Sequence, residues 1–311
     1  MKSIIITGSN SGIGLEAAKK MAEIAPDEQI ILACRNPESA QKAVDDIRAK
    51  SGHKNIKYMH LDLGSLKSIR EFKEQFAADK HNTIISLVNN AGLQNSRETK
   101  YTSDGFELTF GTNHLGPFYL TMLLLPYMDK QGSIVFTASG THNPEEKTGI
   151  EKAAYTSARE LAYPKNTGES NAKVGQRRYA TSKLCNVLTT YTLQEKLAHT
   201  GIRVNAFDPG LTPDTGLART YPAVMVFILK RVIKVMKLFV KNIQDVDVTG
   251  GRLAKLAYSP EFKNLKGIYF SDGRVTESSK DSHKKALQDD LWQTSVELTG
   301  LKEEDTNISL A

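Results

Sequence analysis

The sequence predicts an α/β protein built on a doubly wound parallel sheet with helices on both faces, and three observations carry that prediction. Short β-branched runs alternate with longer amphipathic stretches from Lys2 to about Val135, a glycine-rich turn joins the first run to the first amphipathic stretch, and the alternation resumes after Leu197 with IRVNAFDPG. Strands that alternate with helices imply right-handed crossovers and parallel pairing. In chain order the elements are SIIIT, a helix from about Gly12 to Ile24, QIILAC, a helix across 37–51, IKYMHLDL and a helix around Ser65 to Ala78. TIISLVNNAG comes next, then a helix carrying Asn113, and SIVFTASG. No internal repeat or low-complexity segment interrupts them.

At 311 residues the chain is long enough for a large core, and one domain spanning 1–311 is expected. Hydrophobic residues at 40% and charged residues at 24% place it among ordinary globular proteins. Two cysteines, Cys34 and Cys185, without CxxC spacing fit a reducing, cytoplasmic setting and no disulfide framework. The N-terminal MKSIIITGSN reads as a first strand, not a signal peptide, and no run reaches the roughly 18 uninterrupted apolar residues of a spanning helix. The net charge of +6 raises nucleic acid or anionic membrane as partners; without a nucleic-acid motif, a basic enzyme that binds a phosphorylated cofactor is the preferred reading.

Two segments depart from the alternation. Residues 140–178 carry Asn143-Pro144, Tyr163-Pro164 and Thr167-Gly168-Glu169-Ser170 and read as a long inserted connection, of the kind that is functional or partly disordered in compact domains. Within 211–245, the stretch 223–241 is apolar but punctuated by Lys230, Lys234, Lys237 and Lys241, which share one face of a helix. It reads either as an ordinary amphipathic helix or as a substrate lid, with weak association to a membrane surface as a variant of the latter.

The chemistry-bearing residues lie at the ends of the strands. Gly8, Ser9, Asn10, Ser11, Gly12, Ile13 and Gly14 form the turn after the first strand. There Gly8 permits a tight bend, Gly12 lets backbone approach a pyrophosphate, and Gly14 allows the helix to pack on the strand. The second strand ends in Cys34-Arg35 without an acid, which favours the 2′-phosphate of NADP over the free ribose of NAD; alternatively Arg35 is a solvated loop residue and Cys34 a small core residue. Asp62, followed by Leu63, either accepts from an adenine amino group or caps a helix.

Tyr179 and Lys183 stand four apart, on one face of a helix, so that a phenol and an ammonium share a site in which the phenolate is favoured. Ser139 ends a strand where ligands bind in a doubly wound sheet, or else serves as a turn or capping hydroxyl. Asn113 either orients a catalytic water or fixes a helix irregularity, and His114 is read as packing or solvated.

Together these residues resemble the short-chain dehydrogenase/reductase family over roughly residues 1–300. The matching elements are TGSNSGIG (7–14), HLDL (60–63), NNAG (89–92), Asn113, Ser139, YATSK (179–183), and Pro209-Gly210 followed by Thr215. The resemblance implies a Rossmann-like sheet of about seven parallel strands and hydride transfer to or from NAD(P). It further implies that Tyr179 is the acid/base, that Lys183 binds the nicotinamide ribose and lowers the Tyr179 pKa, that Ser139 polarises the substrate oxygen and that Asn113 supports a proton relay. Asn90, Ala91 and Gly92 in the fourth strand's turn, with Pro209, Gly210 and Thr215, would contact the cofactor, and dimers or tetramers are expected.

DGFELTFGTNHLGPFYL (104–120), SKLCNVL (182–188) and GIYFSDGRVTESS (267–279) are most similar to the retinol-dehydrogenase-like and light-dependent protochlorophyllide-reductase branches. The latter branch carries cysteine directly after Pro-Gly, where this chain has Leu211. The expected activity is therefore NADP(H)-dependent interconversion of an alcohol and a carbonyl on a small hydrophobic substrate. An NADP-binding sensor or scaffold without turnover, and the light-dependent reductase, are the alternatives.

Overall fold

A computed structural model of the chain describes residues 1–212 and 244–311. Thr215 and the lysine-punctuated stretch 223–241, and with them most of the expected lid at 211–245, lie outside the described residues.

The described strands join one sheet in the order β3-β2-β1-β4-β5-β6-β7-β8. The first half comprises β1 (Lys2–Thr7), α1 (Gly12–Ile24), β2 (Gln29–Cys34), α2 (Pro37–Ser51), β3 (Ile56–His60), α3 (Leu66–Ala77) and β4 (Thr83–Asn89). Both faces of the central strands are covered, as parallel pairing by crossover helices requires. Within β1, Ile4 and Ile6 pack among Ala17, Met21, Val44 and Leu253 on one face, whereas Ile5 packs with Phe72, Phe118 and Leu123 on the other. That period-two alternation is what fixes register: a slip of one residue would exchange the two cores.

Local chemistry sets the helix ends. The Asn36 side chain accepts from the Ser39 amide at 2.8 Å to start α2, and Gly52, with φ of 71°, ends it. Ser65 starts α3 in the same way, accepting from the Ser68 amide at 3.2 Å. Asp62 is therefore not the cap; its Oδ1 accepts from the Gly64 amide at 2.9 Å and closes the turn before the helix.

Beyond β4, a short α4 (Leu108–Phe110) runs through a π-helical turn, Gly111–Leu115, into α5 (Gly116–Leu124). β5 (Met128–Thr137) starts earlier than the run SIVFTASG suggests, because an irregularity between Ile84 and Ser86 lets Met128 pair with Ile84 ahead of the regular ladder. The connection expected over 140–178 contains α6 (Ala158–Ala162), and its last part is helical: α7 (Asn171–Lys196) begins at Asn171 and carries Tyr179 and Lys183. β6 (Arg203–Asp208), α8 (Val246–Tyr258), β7 (Tyr269–Ser271), β8 (Arg274–Thr276) and α9 (Lys285–Thr299) complete the described chain.

Among the described residues seven strands are parallel, as expected, and an eighth pairs antiparallel with β7. Its cause is local: Asp272 and Gly273 both take positive φ, 50° and 77°, the geometry of a two-residue hairpin turn. Among the described residues, no helix is long and apolar enough to cross a membrane.

His114 lies in the π-helical turn, buried between the Phe110 and Phe118 rings, with Nε2 3.0 Å from Ser295 Oγ. Burial pushes its pKa down to about 3, against a weaker opposing pull from the Asn186 side chain. An unfolded histidine titrates near about 6.5, so between those values the unfolded chain holds the extra proton. The contribution to stability is thus full above about pH 6.5 and is lost as pH falls, at roughly 1.4 kcal/mol per pH unit. Urea unfolding at a series of pH values should show the native protein losing more stability on acidification from about pH 7 to 5 than a His114→Gln variant does. Parallel curves would contradict the neutral, buried assignment.

Candidate active site

The strand order reverses direction between β1 and β4, and the carboxyl ends of the two strands part there. The Thr7 hydroxyl spans the gap, donating to Val88 O at 3.3 Å and accepting from the amides of Asn90 (2.9 Å) and Ala91 (3.0 Å). Gly8 turns the chain with φ of 63°, and a Cβ there would lie 2.9 Å from Ala91 Cα. Gly14 has the packing role its position implies: a Cβ would come within 2.6 Å of Gly8 O and 2.5 Å of Asn90 Nδ2.

The result is a cleft of about 440 Å³ along the strand ends. Of the sequence-predicted residues, Gly8, Asn10, Ser11, Gly12, Ile13, Arg35, Asp62, Leu63, Asn90, Ala91, Gly92, Tyr179, Lys183 and Pro209 line it. Ser9 instead faces inward, its hydroxyl donating to Ile6 O at 2.8 Å, and Gly14 and Gly210 are not on the lining. Sequence reasoning did not place Asn36, Leu93, Gln94, Thr112, Thr137 and Ala138 on the lining. Leu93 and Gln94 directly continue NNAG, which was the available signal.

A turn of backbone at the N-terminus of a 13-residue helix, with glycines at positive φ on its approach, fits a pyrophosphate. Arg35 is exposed on the rim next to Asn36, and among the described residues no carboxylate pairs with it.

At the other end of the cleft, α7 crosses the end of β5. Tyr179 and Lys183 are both buried, with the ammonium 5.6 Å from the phenol ring centroid. Lys183 Nζ donates to Thr137 O at 2.9 Å, and Asn186, one turn further along, donates to the same oxygen at 3.1 Å. Burial lowers the Lys183 pKa to about 8, opposed by the negative charge of Asp208. Burial also pushes the Tyr179 phenol well above its ordinary range; Asp208 adds to this, and the facing Ser139 hydroxyl opposes it. Both groups are desolvated together, and at the phenol that burial is the largest influence.

Asn113 fulfils its structural reading. From the π-helical turn its Oδ1 accepts from the Leu93 amide at 2.8 Å, and its Nδ2 donates to Leu93 O at 2.8 Å and to Ser182 Oγ at 3.0 Å. This bolts the floor of the cleft to α7. A Cβ on Gly92 would be 3.4 Å from both Asn113 Oδ1 and Lys183 Nζ, so Asn113 and Lys183 converge on one point. Ser139, half-buried, also starts the short turn Gly140–His142, accepting from the Thr141 amide at 3.3 Å.

Gly14→Ala should disrupt the approach of α1 to the cleft floor, costing roughly 1–3 kcal/mol of stability through overpacking against backbone. Denaturant unfolding measures this, and an unchanged midpoint would contradict the close contact.

The short chain dehydrogenase family pattern matches residues 2–160, and the AcuH dehydrogenase domain pattern matches 216–308. A polyprenol dehydrogenase of Danio rerio is 35% identical, covering 97% of this chain and 87% of its own. Retinol dehydrogenase 13 of Homo sapiens is 32% identical (97% and 85% covered), and a chloroplastic protochlorophyllide reductase of Daucus carota is 33% identical (96% and 78%). Among solved structures, an uncharacterized protein from Mycobacterium paratuberculosis superposes with a TM-score of 0.70 at 26% identity, over 96% of this chain and 93% of that one. A short chain dehydrogenase from Shigella flexneri complexed with NADP has the same fold, with a TM-score of 0.60 at 20% identity over 86% and 95%. The chain therefore belongs to the short chain dehydrogenase family of nicotinamide-dependent oxidoreductases, on the side that includes the retinol dehydrogenases and protochlorophyllide reductases.

Proposed function

We propose that this oxidoreductase uses NADP(H) to interconvert an alcohol and a carbonyl on a hydrophobic substrate. The observation that carries the reading is one continuous cleft with Arg35 at one end and the buried Tyr179–Lys183 pair at the other.

NADP(H), when bound, would supply or accept the hydride. For carbonyl reduction, the protonated Tyr179 phenol gives its proton to the substrate oxygen, and the Ser139 hydroxyl beside it donates a hydrogen bond to that oxygen. Lys183 has three N–H donors, one of which goes to Thr137 O; two remain for ribose hydroxyls. Asn113 keeps the cleft floor fixed beneath them. At the far end the Arg35 guanidinium would meet the 2′-phosphate of NADP(H) through charge-assisted hydrogen bonds. The polyprenol and retinol dehydrogenases among the relatives are named for long apolar alcohols, which supports a hydrophobic substrate here. The light-dependent reading is disfavoured by Leu211 after Pro209-Gly210.

NADPH should bind more tightly than NADH by about 1–3 kcal/mol, and Arg35→Asp should weaken or reverse that preference. Titration calorimetry with both cofactors decides it: equal dissociation constants in the native protein would remove Arg35 as selector. Tyr179→Phe should lower turnover by about 10²-fold or more while NADPH affinity survives, because the ring stays and only the exchangeable proton goes. Full turnover in that variant would reassign the acid.

A further inference from the structure

Tyr179 and Lys183 ride on a long helix, α7, whereas Ser139 stands where β5 gives way to the short turn Gly140–His142. The direction of its hydroxyl therefore depends on what holds that turn. Upstream, the Ala138 amide donates to Phe207 O on β6 at 2.7 Å. Downstream, the Ser139 carbonyl meets two nitrogens of one residue: it accepts from the His142 amide at 3.0 Å and lies 2.7 Å from His142 Nδ1. Ser139 Oγ accepts from the Thr141 amide at 3.3 Å, so its own O–H still has a proton to give.

His142 is fully buried, and its partners fix its tautomer. Nε2 lies 3.0 Å from the Ser279 amide, a group that can only donate, so Nε2 carries no proton. The proton of the ring is on Nδ1, which donates it to Ser139 O. The ring also packs on the Tyr269 ring, centroids 4.8 Å apart, and the Tyr269 hydroxyl donates to Asp208 Oδ2 at 2.9 Å. Ser279 is held in turn, its carbonyl accepting from the Ser282 amide at 3.0 Å and the Ser282 hydroxyl at 2.6 Å. Thus β7 and the segment after β8 both bear on the end of β5 through one imidazole.

We propose that His142 is a positioning residue for Ser139: a buried imidazole, locked as its Nδ1–H tautomer by the Ser279 amide, whose donation to the Ser139 carbonyl fixes the direction in which the Ser139 hydroxyl meets the substrate oxygen. The inference rests on the oxidoreductase reading, in which Ser139 donates a hydrogen bond to that oxygen.

The rival role for His142 is to tie the Ser279 segment to the turn, and the two roles use different nitrogens. Asparagine places its amide nitrogen where histidine carries Nδ1; it keeps the donor to Ser139 O and no longer reaches Ser279. Glutamine places its amide oxygen near the position of Nε2; it keeps the acceptor for Ser279 and loses the donor to Ser139. The variants His142→Asn and His142→Gln therefore separate positioning of Ser139 from anchoring of Ser279.

The first measurement needs no turnover. NMR of protein labelled with ¹⁵N at histidine should show His142 protonated at Nδ1 and bare at Nε2; the opposite tautomer overturns the proposal. Hydrogen exchange then follows two amides, that of Thr141, which reports on Ser139 Oγ, and that of Ser279. In His142→Gln the Thr141 amide should exchange faster by about fivefold or more, the effect of one net hydrogen bond, with Ser279 unchanged. In His142→Asn the pattern should reverse. With NADPH and a carbonyl substrate, His142→Gln should lower kcat by about 10-fold or more through misplacement of Ser139. KM and NADPH affinity should stay near native, and the conservative His142→Asn should restore kcat. Equal losses in both variants, a larger loss in His142→Asn, or failure of both to fold overturns the proposal in favour of a purely structural histidine. A native chain that turns over no carbonyl counts against the oxidoreductase reading, while the tautomer and exchange results still decide whether His142 holds Ser139.

Discussion

The close approach of three chain segments at the β1–β4 divide is the constraint on which the rest of the structure depends. Thr7, which ends β1, bonds to the end of β4, and Gly8 and Gly14 omit side chains where Ala91, Asn90 and the Gly8 carbonyl crowd in. Parallel strands that turn away from each other must leave a crevice there. Only the missing Cβ atoms let α1 point its N-terminus into that crevice while backbone N–H groups remain available to an anion. Replace that junction with bulkier residues and the cleft loses its floor, whatever side chains line its far end.

The second organising fact is that Tyr179 and Lys183 are both buried. An ammonium in the interior is unfavourable unless hydrogen-bonded, and the Thr137 carbonyl and the Asp208 charge meet that need from two directions. Asn113 and Asn186 carry no charge, yet they fix the backbone and the shared acceptor that place Lys183. The π-helical turn is part of the same arrangement: it presents Asn113 to Leu93 and to Ser182, on the helix that carries Tyr179. The site is thus pre-organised by groups that never need to touch the substrate.

Much of this was legible in the residues. The β-branched runs located six of the parallel strands, β1 to β6, the helix expected from about Ser65 starts there, and the spacing of Tyr179 and Lys183 placed them on one face. Asn113 was readable as a residue that repairs a helix irregularity. The eighth strand was missed because three residues are too few for an alternating pattern, although the Asp272-Gly273 pair carried the turn signal. Asp208 was missed for a different reason. An acid before Pro-Gly looks like ordinary turn chemistry, and its wider contacts emerge only when β7 brings Tyr269 and Ser271 onto it from 61 and 63 residues away. Spacing also shows that two ionisable groups are neighbours without showing that both are buried, which only the fold reveals.

The central claim is that this cleft turns over a carbonyl at the expense of NADPH. The most direct measurement is a panel of aldehydes and ketones of graded chain length, including retinoids, incubated with the protein and NADPH and followed at the nicotinamide absorbance with the product quantified. The account predicts loss of NADPH in step with formation of the alcohol, fastest on long apolar substrates. Tight NADPH binding with no oxidation across the whole panel, and no reverse reaction with NADP and the matching alcohols, would contradict it and leave a protein that binds the cofactor without using it.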